Sequence, residues 1–250
     1  IVGINEGLKE SYEITAKVLD LKDSPACKEK NLCAFDNYNT QLILEKGDEP
    51  RMKGSLKDAT TCSDALILQF YEEPDAKKAA FGHDITLDDW TKISKIKDVY
   101  GDVLFTAPVV AVNVAHPLLV YMRDELMDKD RKLAFLCGHD SNIASVTAAL
   151  EVEPYDLPNS IEKKTPIGCK LVIEKFEGKD GKMYCDINLT YQSTEQLRHI
   201  AMLSLDNPPQ IFSLSLKGLQ KNADGLYLLK DVEGRFMKAI RAYDKIEDEL

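Results

Sequence analysis

The chain has 250 residues, 44% of them hydrophobic and 30% charged, with a formal net charge of −10. It is long enough to bury a large core. No apolar run approaches the roughly 18 residues of a membrane-spanning helix, so no membrane partner is expected. The acidic balance argues against a nucleic-acid partner, whose phosphates call for clustered Lys and Arg. It still leaves room for a phosphate pocket made by a few local cations.

The first hundred residues read as mostly helical. Asn5 is placed to cap a helix to about Leu19, with Leu8, Tyr12, Thr15 and Leu19 on one face. Pro25 and a polar loop between Cys27 and Cys33 end it. The six cysteines exceed ordinary cytosolic use without forming a dense scaffold. Cys27 and Cys33 could close a small disulfide ring. A zinc site ranks below that, since neither belongs to a CxxC pair and no histidine lies nearby. A second helix, Lys57 to Glu72, turns Ala59, Cys62, Leu66 and Phe70 inward. Thr86 to Asp89 forms a capping pattern ahead of Trp90, Ile93 and Ile96. Pro108 suits the first turn of a helix to about Met127, which Pro117 is expected to kink.

From Leu133 the pattern becomes α/β. Leu133 to Cys137 reads as a strand apolar on both faces and buried between neighbours. Cys137 and Cys169 are accordingly expected to be buried thiols, and Cys62 likewise. Gly138-His139-Asp140-Ser141-Asn142 follows, and then a helix to Leu150. Ligands of α/β proteins gather where strands end and helices begin, because a helix N-terminus offers free N–H groups and partial positive charge. A His and an Asp there can bind an anion and move a proton. Equally, Asp140 or Ser141 can cap the helix while His139 bonds a loop. Spacing alone leaves both readings open. A loop with three prolines runs from Glu153 to Pro166. Cys169 to Phe176 and Met183 to Tyr191 read as a hairpin, Ile211 to Leu216 as a strand, and Val232, Phe236 and Ile240 as a terminal helix. His83, His116 and His199 read as structural or surface residues.

Gly138–Asn142, with Thr165-Pro166-Ile167-Gly168 and the apolar strand after it, resembles the C-terminal signature of histidine acid phosphatases. Several further segments resemble the periplasmic glucose-1-phosphatases among them. These are Lys22-Asp23-Ser24-Pro25-Ala26-Cys27-Lys28-Glu29-Lys30, Leu68-Gln69-Phe70-Tyr71-Glu72, Leu104-Phe105-Thr106-Ala107-Pro108 and Tyr191-Gln192-Ser193-Thr194-Glu195-Gln196-Leu197-Arg198, in the same order along the chain. The resemblance implies an α/β fold, a histidine-phosphatase-like sheet flanked by helices, with a mostly helical second domain. Residues 1–103 would form the helical, substrate-selecting domain and residues 104–250 the C-terminal portion of the α/β domain.

The implied activity is hydrolysis of sugar phosphates such as glucose-1-phosphate through a phosphohistidine intermediate, without metal or cofactor. A phytase-like action on inositol phosphates, or phosphate binding without catalysis, are the alternatives. Carried over by position, Asp140 is the proton donor, His139 binds the phosphoryl group and Glu72 faces the sugar. Against the last role, Glu72 also reads as a solvated helix end beside the equally acidic Glu73. The family's nucleophile lies in an Arg-His-Gly-x-Arg-x-Pro motif, and none of the four histidines here sits in that setting. The family's C-terminal cysteine pair is unmatched too, with Leu219 and Leu226 near the expected places. The expectation is therefore a C-terminal part, inactive alone, whose partners are a small phosphomonoester and the N-terminal segment of the same protein. The implied compartment is the bacterial periplasm, after secretion.

Overall fold

The computed structural model describes residues 2–36 and 40–246. Its helical part comprises α1 (Val2–Val18), α2 (Pro25–Lys30), α3 (Ser55–Glu72), α4 (Ala76–Ala79) and α5 (Leu87–Gly101). A short hairpin, β1 (Gln41–Ile43) with β2 (Arg51–Lys53), is inserted between them. The second part holds α6 (Pro108–Met127), α7 (Asp140–Ala149), β3 (Lys170–Glu177), β4 (Met183–Tyr191), α8 (Thr194–Arg198), β5 (Gln210–Ser213), β6 (Tyr227–Leu228) and α9 (Leu229–Tyr243). This is the α/β arrangement expected, with helices packed on a sheet.

Local chemistry accounts for the boundaries. Ser24 accepts a hydrogen bond from the Cys27 amide at 3.2 Å, Pro25 opens α2, and Asn31 ends it in the left-handed region. The disulfide expected between Cys27 and Cys33 is present, with Cα atoms 4.4 Å apart. Thr86 and Asp89 form the anticipated capping box of α5. α6 runs through Pro117 as one continuous helix. A sharp turn, 78°, falls between residues 87–106 and α6. Pro108 forces it, because the residue before a proline avoids helical backbone and Ala107 is extended at φ −56°, ψ 131°.

In the sheet, β4 pairs antiparallel with β3, with β5 and with β6. Its alternate residues Cys185, Ile187, Leu189 and Tyr191 enter one core with Ala115 and Leu119 of α6, Val146 of α7 and Phe236 of α9. A second core joins Leu8 and Tyr12 of α1 to Leu56, Ala59 and Ile96, and Leu104 and Phe105 pack into it. A third gathers Leu66, Phe70, Trp90 and Ile93, and it also takes Ile161 from the proline-rich loop. Lys175 of β3 donates to the carbonyls of Leu126 and Asp128, both at 2.8 Å. A cation suits this carboxyl end of α6, and it fixes where the chain departs toward residue 133.

There the expectation of a buried strand fails. Residues 133–138 join no ladder and lie exposed, Leu133 at 81% and Phe135 at 78%. The apolar pattern asks for neighbours on both sides, and among the described residues no strand lies alongside. Cys137 is consequently exposed rather than buried, and Cys169 stands half-buried just before β3.

The oxidised, denatured chain is expected to yield four thiols to a titrating disulfide reagent and six after reduction. In the native state the exposed Cys137 should react first. Cys185, whose thiol burial pushes up to about 12, should react last. Six titratable thiols before reduction would contradict the disulfide.

Candidate active site

His139 and Asp140 stand where the exposed apolar segment meets α7, and the turn is built locally. The His139 amide donates to Asn142 Oδ1 at 2.8 Å, capping the helix, and Gly138 lies against the same amide group. A Cβ on Gly138 would come within 2.8 Å of Asn142 Oδ1, so a larger residue there would push the Asn142 side chain off the His139 amide. Asp140 opens the helix, where a carboxylate is favoured by the dipole. Its Oδ1 accepts the Ser141 amide at 2.8 Å. Both residues are exposed on the open side of the molecule. Two shallow hollows, of about 360 and 440 Å³, lie on the surface, and neither is lined by His139, Asp140 or Glu72.

The other Asp140 oxygen faces a charged cluster. Lys97 of α5 places its Nζ 3.5 Å from Asp140 Oδ2, 3.6 Å from Asp64 Oδ1 and 3.0 Å from Glu162 Oε1. Glu162 is 1% exposed. Its second oxygen accepts the Tyr71 hydroxyl and the Ile167 amide, each at 3.2 Å. Burial pulls the Lys97 ammonium down, but Glu162, through its charge and hydrogen bond, together with Asp140 and Asp64 holds it above its ordinary value. Burial likewise raises the Tyr71 phenol, and the Glu162 carboxylate adds to it. The Thr165-Pro166-Ile167-Gly168 string therefore shapes the loop that wraps Glu162. The Cys169 amide closes its turn on the Pro166 carbonyl at 2.9 Å. Among the described residues, no three His, Cys, Asp or Glu side chains are grouped to hold a metal ion.

Glu72, the last residue of α3, is exposed and adjoins this network through its neighbour Tyr71. Glu73 is turned back on the Asp75 amide at 3.0 Å, so the two adjacent acids are not equivalent. Arg198 stacks its guanidinium 3.9 Å from the Phe70 ring centroid and bonds the carbonyls of Phe70 and Pro74, bracketing that helix end. The remaining histidines are engaged elsewhere. His83 pairs with Asp20 at 3.2 Å, His116 stacks on Tyr243 and the exposed His199 turns to Glu195.

Comparison with known proteins fits this architecture. No family model matches the chain. A glucose-1-phosphatase of Providencia rettgeri is 38% identical over 238 residues, covering 93% of this chain and 57% of that protein. One of Salmonella typhimurium is 39% identical, covering 87% and 54%. The chain is a homologue of bacterial glucose-1-phosphatases. It spans little more than half the length of the curated relatives it matches. The Citrobacter braakii phytase structure superposes with a TM-score of 0.83 at 24% identity, covering 94% of this chain and 61% of that one. Hafnia alvei phytase does so with the same score over 99% and 63%. These likenesses show the histidine acid phosphatase fold.

Sequence reasoning singled out His139 and Asp140 but missed Lys97, Glu162 and Asp98. A signal existed for Lys97. It lies seven residues beyond Trp90, so it shares the buried stripe of α5, where a lysine needs a partner. Nothing comparable marked Glu162 within its polar loop.

Asp98 generates a pH prediction. Burial raises its carboxyl to about 7, aided by Glu162 and Asp102 and opposed by the Lys163 amide and Lys97. The folded state thus keeps a proton that the unfolded chain releases near the ordinary value of 3.8. Stability should therefore fall as pH rises from about 4 to about 7. Asp98→Asn, which preserves the acceptor for the Lys163 amide (3.0 Å), should flatten that part of the profile in urea unfolding. An unchanged slope in the variant would show that other groups set it.

Proposed function

We propose that this chain is part of a phosphomonoester hydrolase acting on sugar phosphates such as glucose-1-phosphate. The observation that carries the reading is the His139-Asp140 pair at the exposed N-terminus of α7, in a chain 38–39% identical to glucose-1-phosphatases. His139, an exposed imidazole at the positively polarised start of α7, is suited to a phosphoryl anion. Asp140 is suited to protonating the leaving sugar oxygen, an alkoxide that departs poorly without a proton. The P–O bond to the sugar breaks as the phosphoryl group passes to a histidine nucleophile, and water then releases phosphate. That nucleophile is assigned to a part of the longer protein outside these 250 residues. Glu72 is assigned to the sugar side, where a carboxylate accepts hydroxyl hydrogen bonds and disfavours polyphosphorylated ligands such as inositol phosphates. The bacterial relatives and the Cys27–Cys33 disulfide support an oxidising compartment such as the periplasm.

In the longer protein, Asp140→Asn is expected to lower kcat on glucose-1-phosphate by about 10²–10⁴, the span for losing a general acid. The loss should shrink on p-nitrophenyl phosphate, whose leaving group needs little protonation. The 250 residues alone should turn over neither substrate. Equal losses on the two substrates would remove Asp140 from the acid role.

The exposed residues 133–138 are proposed to receive a neighbouring strand from the same longer protein, since an open apolar ribbon invites pairing. Alkylation should then modify Cys137 readily in the 250-residue chain and slowly in the longer native protein. Equal rates would exclude a strand at that place.

A further inference from the structure

We propose that Lys97 is a positioning residue for proton transfer by Asp140, a role that rests on the phosphatase reading above. Asp140 Oδ1 is occupied by the Ser141 amide, which leaves Oδ2 to carry and deliver the proton. Oδ2 faces Lys97 at 3.5 Å. That separation exceeds a tight charge-assisted contact of about 2.8 Å, so Oδ2 is steered without being fully engaged.

Lys97 is itself held fixed. Its side chain is 17% exposed, and Glu162 grips it at 3.0 Å from a fully buried position. Glu162 is fixed in turn by the Tyr71 hydroxyl and the Ile167 amide. The cation is thus built into the frame and does not ride on a mobile surface chain. In the transfer, the O–H bond of the Asp140 carboxyl breaks and a new O–H bond forms on the departing sugar oxygen. Negative charge is left on Asp140 beside a cation already in place, so little reorganisation is needed as the charge develops. The cluster also orients the carboxyl, because Oδ1 accepts the Ser141 amide while Oδ2 faces Lys97.

The effect of Lys97 should follow the need for a proton. The longer protein is assayed on glucose-1-phosphate and on p-nitrophenyl phosphate, as wild type, Lys97→Gln and the paired Lys97→Met/Glu162→Gln. The pair guards against misfolding, since it leaves no buried carboxylate without its cation. The expected result is a fall of about tenfold in the ratio of kcat between the two substrates, with KM little changed, below the loss from removing the acid itself. A purely structural role would lower both kcat values together. Equal losses, or no loss, in a cooperatively folded variant overturn the inference while leaving the phosphatase reading intact. A wild-type protein inert toward both substrates overturns that reading and this inference with it.

Discussion

The carboxylate of Glu162 is shut away from water, and much of the arrangement follows from what that burial requires. A lone buried charge costs several kcal/mol, and removing one member of a buried pair is far more damaging than removing both. Here the carboxylate is satisfied by Lys97 from α5, Tyr71 from α3 and the Ile167 amide of its own loop. The three come from widely separated stretches of sequence. The proline-rich loop must therefore sit against the helical part, and Ile161 completes the contact by entering the core around Phe70 and Trp90. The same ammonium reaches Asp140, so the contact that docks the loop also fixes the start of α7.

This explains how the His-Asp turn stays organised although the segment leading into it has no ladder. In an intact parallel sheet, neighbouring strands would hold such a turn. Here α7 is anchored from behind by Val146 in the main core, at its first turn by Asn142, and from the side by Lys97. One side of the turn is thus packed and partnered among the described residues and the other is exposed. The exposed Leu133, Phe135 and Cys137 mark the open side as clearly as the charges mark the finished one. On the proposed reading, a longer protein would supply both a nucleophile and a strand beside residues 133–138.

Much was legible in the chain before its structure. The termini of α3, α5 and α6 followed from Pro108, from the Thr86–Asp89 box and from apolar spacing, because caps and prolines act over only three or four residues. The hairpin of β3 and β4 followed from alternation and a glycine-containing turn. The Cys27–Cys33 bond followed from short separation across a polar loop. Local rules failed where the outcome depended on a distant neighbour. Leu133 to Cys137 had the composition of a buried strand, but composition states a preference and cannot provide the partner strand.

The sequence by itself determined the helical first part, the hairpin, the strand-to-helix position of His139 and Asp140, and the kinship with glucose-1-phosphatases. Each of these depends on residues close together in the chain or on similarity along it. Only the tertiary structure decided that Lys97 joins Asp64, Asp140 and Glu162, that Asp98 is buried enough to keep its proton toward neutrality, and that Arg198 brackets the end of α3. These depend on charged groups meeting partners far away in sequence. Their strength comes from exclusion of water, a property that no single segment possesses until the others have packed around it.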